Sequence, residues 1–494
     1  MTFTDYVFEH SGKLDKTAII HRKKEISYRE LCSGIAIAAG LCGTEGRESI
    51  VIVSENSPLF VKAFYGIIKS GCICVPVNPT AAAEELNYII DTLEIGKVFA
   101  EEKLVQKLQD KIGRNGRDII IYTEKDLEED TEGNALRGFP DQGTYTDDED
   151  TAVIMFTSGS TAVPKGVMLT HGNLMCNTAS IIKYLNLKAD DRMEVVLPFY
   201  YCYGTSLLNT HLRCGGSLVL NNRFMFPDTV LQDINTYGCT GFAGVPSTFQ
   251  ILLRMTDLKN TVTPSLKYIT QAGGKLQDTY INELADTLQG VDIIVMYGQT
   301  EATARLSYLP PEFLKTKMGS IGKGIPGTKL EVLNKEDRPV APGETGEIVA
   351  TGCNVMKGYL NDQEATREVL RNGSLYTGDL ATVDEDGFIY VVAREKNIIK
   401  CGGNRVSPKD IENVIVQIPE VVECAVVGVN HEILGEAVKA WVVLKPGTEG
   451  IDCGCVTRFC AERLEKHKVP KFVEFINALP KNSSGKVLYK KLKR

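Results

Sequence analysis

The sequence predicts an α/β protein with a mainly parallel sheet in a large N-terminal part and a small α+β part at its C-terminus. Apolar strand-like runs alternate with amphipathic helical patterns along most of the 494 residues. Such alternation is typical of parallel sheets with helices on both faces. A β-rich stretch begins at Gly346, and a compact tail with the size of a small domain follows Lys396.

The clearest β-α-β unit lies near the N-terminus. Ser49–Val53 has the composition of a buried strand, Pro58–Ser70 that of an amphipathic helix, and Cys72–Val77 that of the next strand. A later helix begins near His171, and Asp384–Gly387 is a turn between two β-rich runs. Further strands are predicted at Lys97–Ala100, Asp118–Tyr122, Ala152–Ile154, Lys267–Ala272 and Asp292–Tyr297.

Composition and charge exclude several classes of protein. Lys and Arg number 55 against 63 Asp and Glu, a net charge of −8, which argues against a broad basic face for nucleic acid. Neither a secretory signal pattern nor an apolar run long enough for an integral membrane segment is present. The 14 cysteines are scattered without a Cys-x-x-Cys pair, so we expect them to be reduced and structural. A cytoplasmic protein is predicted.

The segment from Met155 to Gly166 has the composition of a phosphate-binding loop. It joins a predicted strand to the helix that begins near His171. Small residues let backbone N–H groups approach anionic oxygens closely, and the side chains of Thr157, Ser158, Ser160, Thr161 and Lys165 add donors. The P-loop spacing is absent. A plain flexible turn is the alternative, and Lys165 after Pro164 favours phosphate.

Three further segments place polar groups or bare backbone where a ligand could bind. Tyr297–Glu301 directly follows a predicted strand, and strand ends form the ligand crevice of open α/β sheets. Gly273 and Gly274 end another strand and offer bare backbone to a flat ring. In Tyr376–Asp379, a carboxylate after a tight turn could accept both hydroxyls of a ribose. Taken singly, each segment could equally be an ordinary turn.

The order of these segments resembles the adenylate-forming superfamily of AMP-dependent synthetases and ligases. That superfamily comprises acyl-CoA synthetases, firefly-type luciferases and peptide-synthetase adenylation domains. Five motifs match in family order, which makes chance resemblance very improbable. They are Phe156–Thr161 with Pro164–Gly166, Tyr297–Glu301, Tyr376–Asp379, the stretch from Arg394 and Lys396 to Gly403, and Pro480–Lys486.

The resemblance implies that the chain uses ATP to activate a small carboxylic acid as an acyl-adenylate, with release of pyrophosphate. It places Lys486 between the substrate carboxylate and the α-phosphate, Thr300 on the α-phosphate and Glu301 on Mg²⁺. The other ATP contacts that it implies are Asp379 and Arg394 on the ribose, Thr157, Ser158, Gly159, Ser160, Thr161 and Lys165 on the outer phosphates, and Gly273, Gly274, Tyr297, Gly298 and Gln299 at the strand ends.

The resemblance also implies a division into two domains that move against each other. Residues 1–394 would form the large adenylation domain and residues 397–494 the small C-terminal domain, with the hinge at Lys396. After rotation the Lys400–Arg405 loop would face the active site, where Gly402 and Gly403 guide a thiol. The alternative for Lys396 is a solvated surface lysine.

The chain departs from the family pattern at two positions. Ala162 stands where the phosphate loop usually has Gly, and Tyr201 stands where acyl-CoA synthetases commonly have His near the acyl carboxylate. Tyr201 and Gly273 are therefore our candidate residues for the acyl pocket. No Asp that could pair with an α-ammonium group lies between Pro198 and His211, which makes an α-amino acid substrate less favoured than a plain acyl or aryl acid.

Three functions are compatible with these residues. The leading one is an AMP-forming acid–thiol ligase, which makes acyl-CoA from a carboxylic acid, ATP and coenzyme A. The second loads the acyl group onto the phosphopantetheine of an acyl carrier protein, which we expect to be a separate chain. The third is a nucleotide-binding regulator without catalysis, against which the joint presence of Lys486, Glu301 and Thr300 argues.

Overall fold

The computed structural model describes residues 1–43, 47–112, 118–128, 147–157, 164–394, 398–481 and 487–493. The helices of these residues are α1 Phe3–Phe8, α2 Tyr28–Cys42, α3 Pro58–Lys69, α4 Ala83–Thr92, α5 Glu102–Lys111, α6 His171–Leu185, α7 Cys202–Cys214, α8 Asp228–Tyr237, α9 Pro246–Met255, α10 Asp278–Thr287, α11 Gln363–Val369, α12 Pro408–Ile415, α13 Cys453–Ala461 and α14 Tyr489–Leu492.

The strands of the N-terminal two thirds are β1 Thr17–His21, β2 Lys24–Ser27, β3 Ser49–Val53, β4 Ile73–Val77, β5 Lys97–Ala100, β6 Ile120–Tyr122, β7 Thr151–Thr157, β8 Lys165–Thr170, β9 Arg192–Val195, β10 Ser217–Leu220, β11 Gly241–Gly244, β12 Tyr268–Gln271, β13 Asp292–Tyr297, β14 Ser307–Leu309 and β15 Lys323–Gly324. The later strands are β16 Thr328–Leu333, β17 Gly346–Gly352, β18 Gly358–Tyr359, β19 Leu370–Arg371, β20 Ser374–Val383, β21 Ile389–Arg394, β22 Ile399–Cys401, β23 Asn404–Val406, β24 Val421–His431, β25 Gly435–Leu444 and β26 Phe472–Phe475.

Two large sheets with mainly parallel cores form the N-terminal part, as the alternation of strands and helices predicts. One has seven strands in the order β18-β8-β7-β4-β3-β5-β6, and the other has nine in the order β15-β14-β13-β12-β11-β9-β10-β1-β2. The predicted β-α-β unit is confirmed, because β3 and β4 pair in parallel and α3 connects them. Antiparallel strands lie at the margins of both sheets, where β7 pairs β8 and β13 pairs β14.

Capping residues in the sequence set the starts of the helices that pack between these sheets. Ser57 caps α3 through its side chain, which accepts from the Phe60 amide, and Pro58 occupies the first turn. Thr170 caps α6 with a reciprocal bond from Asn173, so this helix begins at His171 as predicted. The side chains of Phe60 and Phe64 on α3 are fully buried in the core that fixes both sheets.

The β-rich stretch forms a separate antiparallel sheet. Its strands have the spatial order β16-β17-β20-β19, and β21 pairs with β20. The predicted turn at Asp384–Gly387 joins β20 to β21. The C-terminal part is α+β as expected, with a five-stranded sheet centred on β25. Its α12 packs on β24, and the Tyr280 hydroxyl on α10 donates to Val422 O at 2.6 Å across the junction with the N-terminal part.

One pair of cysteines corrects the prediction that all of them are reduced. Cys176 on α6 and Cys353 after β17 form a disulfide across 177 residues, with their Cα atoms 6.0 Å apart. Two cysteines 177 residues apart are brought together by tertiary packing, so the local spacing of cysteines in the sequence does not predict their pairing. Twelve other cysteines are free thiols. None of the helices in the described residues has the length and apolar character that a membrane span requires.

Candidate active site

Two neighbouring strands of the nine-stranded sheet end at the same edge and expose bare backbone. β12 pairs β13 in parallel with Gln271 opposite Val295, so both strands end at this edge and β13 continues two residues further to Tyr297. Gly273 and Gly274, which follow β12, are exposed, and Gly273 has a φ of +85° that favours glycine. This edge is where ligands bind in open α/β sheets, and it is the edge that the sequence predicts.

The carboxylate of Asp379 is held between two side chains from other strands. The Tyr297 hydroxyl at the end of β13 donates to Asp379 Oδ2 at 2.7 Å, and Arg394 Nε at the end of β21 donates to Oδ1 at 3.0 Å. Asp379 is buried, whereas Arg394 is partly exposed. Burial and the Asp379 charge raise the pKa of Tyr297, and Asp379 raises the pKa of Arg394, so both groups remain protonated donors. Three predicted ATP-binding residues therefore lie together.

The backbone around Asp379 differs from the tight turn that we predict at Tyr376–Asp379. These residues lie inside the strand β20, where the register with β17 slips: Val349 is opposite Tyr376 but Glu347 is opposite Leu380. Gly378 has a φ of +72°, and its amide donates to Glu347 Oε1 at 2.8 Å. The glycine that suggested a turn instead makes a β-bulge, which re-aims the Asp379 side chain toward Tyr297.

A second chain of contacts links the base of the phosphate-binding segment to Glu301. Thr157 and Lys165 pair across the β7–β8 hairpin. Lys165 Nζ lies 4.8 Å from the centroid of the Tyr359 ring and 3.7 Å from Asp362 Oδ2. The Tyr359 hydroxyl donates to Glu301 Oε1 at 2.8 Å. Lys165 is the first residue of β8, a strand that is not among those predicted from the sequence.

Thr300 faces the start of α7, which carries the candidate acyl pocket. Cys202 Sγ lies 3.4 Å from Thr300 Oγ1, and Tyr201 precedes Cys202 at the N-cap position of α7. The Tyr203 hydroxyl donates to Thr270 O at 2.9 Å, so α7 also reaches the end of β12 near Gly273. The predicted acyl-pocket segments and the predicted α-phosphate residue therefore surround one region.

Gly298 is required by a close approach of two backbone segments. A Cβ at this position would lie 1.9 Å from Ala304 O and 2.9 Å from Arg305 Cα. The next residue, Gln299, precedes a short 3₁₀ turn at Thr300–Ala302, and the chain then folds back against Gly298. Glycine at 298 therefore allows Thr300 and Glu301 to project from the end of β13.

The remaining predicted residues divide into two groups. Gly402 and Gly403 lie in the β22–β23 hairpin, are exposed and have positive φ values of 55° and 83°. The other group lies outside the described residues, and its members are Ser158, Gly159, Ser160, Thr161, Ala162, Lys396 and Lys486.

Sequence reasoning missed two side chains that organise the site. Tyr359 connects Lys165 with Glu301, and Cys202 contacts Thr300. Tyr359 belongs to a two-residue strand that reaches the site only because β18 pairs β8. A strand of this length has no periodicity to detect, and a lone cysteine in an aromatic segment gives no chemical signal.

The carboxylate of Glu301 fits a magnesium ion that is shared with a phosphate ligand. Among the residues that the structure describes, no cluster of three or more His, Cys, Asp or Glu side chains could hold a metal alone. Mg²⁺ commonly takes one or two carboxylates and completes its shell with phosphate oxygens and water. A carboxylate oriented by the Tyr359 hydroxyl, whose ring lies 4.8 Å from Lys165 Nζ, matches this pattern.

Comparison with known proteins decides the family. The family model described as AMP-binding enzyme matches residues 8–360, and the model for the C-terminal domain of AMP-binding enzymes matches residues 410–486. The chain belongs to the AMP-binding enzyme family. The predicted membership of the adenylate-forming superfamily is thereby confirmed.

Known members of the AMP-binding enzyme family resemble the whole chain. A feruloyl-CoA synthase of Amycolatopsis sp is 32% identical over 97% of this chain and 95% of its own. ATP-bound MatB from Rhodopseudomonas palustris has a TM-score of 0.88 at 27% identity, covering 100% of this chain and 98% of that chain. The o-succinylbenzoate CoA synthetase of Bacillus subtilis, solved with ATP and magnesium, has a TM-score of 0.85 at 27% identity over 100% and 99% of the chains. The predicted fold class is confirmed.

Proposed function

We propose that this chain is an AMP-forming acyl-CoA synthetase, which joins a carboxylic acid to coenzyme A through an acyl-adenylate. The observation that supports this most is the convergence of three segments that are far apart in sequence. Tyr297 contacts Asp379 at 2.7 Å, and Tyr359 contacts Glu301 at 2.8 Å. Relatives named as CoA ligases support the choice of reaction.

In the first half-reaction, an oxygen of the substrate carboxylate attacks the α-phosphorus of ATP, and the bond to pyrophosphate breaks. Asp379 with Arg394 would bind the ribose, and Thr157 and Lys165 would bind the outer phosphates together with Ser158, Gly159, Ser160 and Thr161. Gly273, Gly274, Tyr297, Gly298 and Gln299 would contact the nucleotide along the two strand ends. These residues fix the direction of attack, which is most of the work in phosphoryl-type transfer.

Charge must be neutralised because two anions approach each other in this step. We assign that role to Lys486 beside the reacting carboxylate and to Thr300 as a donor to the α-phosphate. When bound, Mg²⁺ supplies further neutralisation of phosphate charge, and Glu301 is the residue that would hold it. Tyr359 keeps the Glu301 carboxylate in place by its hydrogen bond.

In the second half-reaction, the thiol sulfur attacks the acyl carbonyl carbon, the bond to AMP breaks, and the thiol proton is lost. We propose that residues 397–494 rotate relative to residues 1–394 about Lys396, so that Gly402 and Gly403 guide the thiol. Both glycines are exposed, and bare backbone accommodates a pantetheine arm. Tyr201 would line the acyl side of the site. A cytoplasmic location belongs to this proposal, since ATP and coenzyme A are cytoplasmic metabolites.

The experiment that tests this function is Lys486→Ala, assayed by pyrophosphate release with a panel of acids. Losing the cation beside two reacting anions should slow adenylation by about 100-fold or more while ATP still binds. Lys490→Ala, an exposed lysine four residues further on, is the matched control and should retain wild-type rates.

Three results would contradict the proposal. Pyrophosphate release near the wild-type rate in Lys486→Ala would remove the assigned role of this lysine. ATP binding by the wild-type protein without pyrophosphate release for any acid would favour a non-catalytic regulator instead. Acyl-AMP that accumulates in the presence of coenzyme A would indicate a carrier protein as the thiol acceptor.

A further inference from the structure

Arg305 is a buried arginine whose backbone is fixed beside the nucleotide-binding strand end. It follows Glu301 by four residues and is 2% exposed. Its carbonyl oxygen accepts from Asn177 Nδ2 at 3.1 Å and from Asn354 Nδ2 at 2.9 Å. Thr303, between Glu301 and Arg305, has a φ of +66°, a conformation that is uncommon and costly for a β-branched residue. This strained backbone at Thr303 lies two residues before the buried Arg305.

Among the residues that the structure describes, the guanidinium group of Arg305 has Tyr203 and Tyr184 as aromatic neighbours and no carboxylate partner. Its Cζ lies 4.0 Å from the centroid of the Tyr203 ring, and its Nε is buried without a hydrogen-bond partner among the residues described. The ion pairs that the described residues form at the site are Lys165–Asp362 and Arg394–Asp379. Arginine is always charged in proteins, and burial ordinarily demands a counter-charge. No described carboxylate supplies one to Arg305.

Arg254 shows how the same chain treats a similar arginine away from the site. Its Cζ lies 4.8 Å from the centroid of the Tyr280 ring, and its Nε is likewise buried without a hydrogen-bond partner. There, however, Glu283 supplies a carboxylate oxygen 2.7 Å from Arg254 Nη1. Arg254, outside the site, is thus neutralised by a protein carboxylate, whereas none of the described carboxylates pairs with Arg305.

Arg305 is close to the region where the acid must be activated. Tyr203, on which its guanidinium stacks, directly follows Cys202, whose Sγ lies 3.4 Å from Thr300 Oγ1. The Tyr203 hydroxyl donates to Thr270 O at the end of β12. An acid with its reacting carboxylate near Thr300 would therefore extend along Tyr203 toward Arg305.

We infer that Arg305 is a specificity-determining residue that binds a second carboxylate on the acid substrate. The substrate class is then acids with a distal carboxylate, activated at one end and held by a buried ion pair at the other. This inference rests on the proposed acyl-CoA synthetase function. It explains why a guanidinium group is buried without a protein carboxylate, since the substrate supplies the missing charge and the bidentate acceptor.

The test compares pairs of acids that differ only in the second carboxylate. Octanedioate is paired with octanoate, and 4-carboxycinnamate with cinnamate. Each acid is titrated calorimetrically into the protein with a non-hydrolysable ATP analogue, and kcat/KM for pyrophosphate release is measured in parallel. We expect the wild type to prefer the dicarboxylate of at least one pair by about 30-fold or more, because a paired buried charge discriminates strongly.

Arg305→Met should remove this preference by weakening dicarboxylate binding about 30-fold or more, with monocarboxylate binding and KM for ATP little changed. Arg305→Lys, which keeps a charge, should retain part of the preference. Arg254→Met is the matched control for loss of a stacked arginine, and it should leave the ratio within each pair at the wild-type value.

Three outcomes would overturn the inference. One is that the wild type prefers the dicarboxylate in none of the pairs, which can be measured even if Arg305→Met does not fold. Another is equal weakening of both acids in Arg305→Met, which would place the reacting carboxylate on this residue. The third is a raised KM for ATP in Arg305→Met, which would indicate that Arg305 binds a phosphate of ATP. Failure of the proposed function is distinguishable, because acids would then bind without pyrophosphate release.

Discussion

At the scale of single residues, the site depends on carboxylates that are oriented by hydroxyl groups from distant strands. Asp379 accepts from Tyr297, and Glu301 accepts from Tyr359. Burial raises the pKa of both tyrosines, and the neighbouring carboxylates raise it further, so the hydroxyls remain donors at neutral pH. Each carboxylate is therefore held in a fixed orientation in which it can bind a ribose or a metal ion.

Asp379→Asn tests whether this carboxylate binds the ribose. The substitution keeps the shape but removes the charge that Arg394 faces at 3.0 Å, so we expect the Kd for ATP to rise about 10- to 100-fold, measured by calorimetry. Asp384→Asn is a matched control, since Asp384 is paired with Lys317 at 2.8 Å on the adjoining turn. An unchanged Kd for ATP in Asp379→Asn would show that the ribose binds elsewhere.

Residue identity was predictable from sequence where a motif contains the residue, and not where only packing brings it in. Asp379, Arg394 and Tyr297 are all predicted from motifs, and hydrogen bonds join them in the structure. Glu301 is also predicted from a motif, and it accepts from the Tyr359 hydroxyl. Tyr359 and Arg305 belong to none of those motifs, so the sequence does not mark them as functional candidates. Their roles depend on the pairing of β18 with β8 and on burial, which one sequence does not display.

At the scale of elements, the ends of strands position the chemistry. β12 and β13 were predicted within one residue at each end, because buried parallel strands are continuous apolar runs. β8 was not predicted, and the Tyr376–Asp379 turn proved to be a bulge in β20. Both errors involve antiparallel pairing: β8 lies between its hairpin neighbour β7 and the distant β18, and the bulge in β20 arises from its register with β17. Such register has no local signal in the sequence.

Gly298→Ala tests the close approach that lets β13 end at Thr300 and Glu301. A Cβ would lie 1.9 Å from Ala304 O, so the backbone must shift. We expect a loss of about 1–3 kcal/mol in the free energy of unfolding, measured by denaturant titration, and a larger relative loss of adenylation rate. Gly40→Ala on α2 is the control, since its Cβ would have no atom within 4 Å, and it should be neutral or stabilising. Wild-type activity in Gly298→Ala would contradict this account.

At the scale of the whole molecule, two parts share an interface that the proposed rotation would have to break. The Tyr280 hydroxyl donates to Val422 O at 2.6 Å, and Ser407 Oγ donates to Val392 O at 2.9 Å. These contacts join the C-terminal part to the N-terminal part directly. The two-part division was predictable from the change of pattern after Lys396, whereas the arrangement of the parts was not, since it depends on side chains that meet only after folding.

Lys396→Pro tests the proposed rotation. Proline fixes φ, so the hinge should be unable to turn, and thioester formation should slow at least about 10-fold more than adenylation. Rapid-quench measurement of acyl-AMP and acyl-CoA separates the two steps. Glu385→Pro, in the exposed turn between β20 and β21, controls for a proline substitution elsewhere. Equal slowing of both steps in Lys396→Pro would count against a hinge.

The central claim is that the acid is activated as an acyl-adenylate, and transfer of ¹⁸O from the substrate tests it most directly. The wild-type protein is incubated with ATP, Mg²⁺, coenzyme A and a doubly ¹⁸O-labelled carboxylic acid, and the products are weighed by mass spectrometry. Because the carboxylate oxygen attacks the α-phosphorus and leaves with AMP, one ¹⁸O atom should appear in each AMP, with unlabelled pyrophosphate. Label in inorganic phosphate together with ADP, or acyl-CoA formed with unlabelled AMP, would contradict the account.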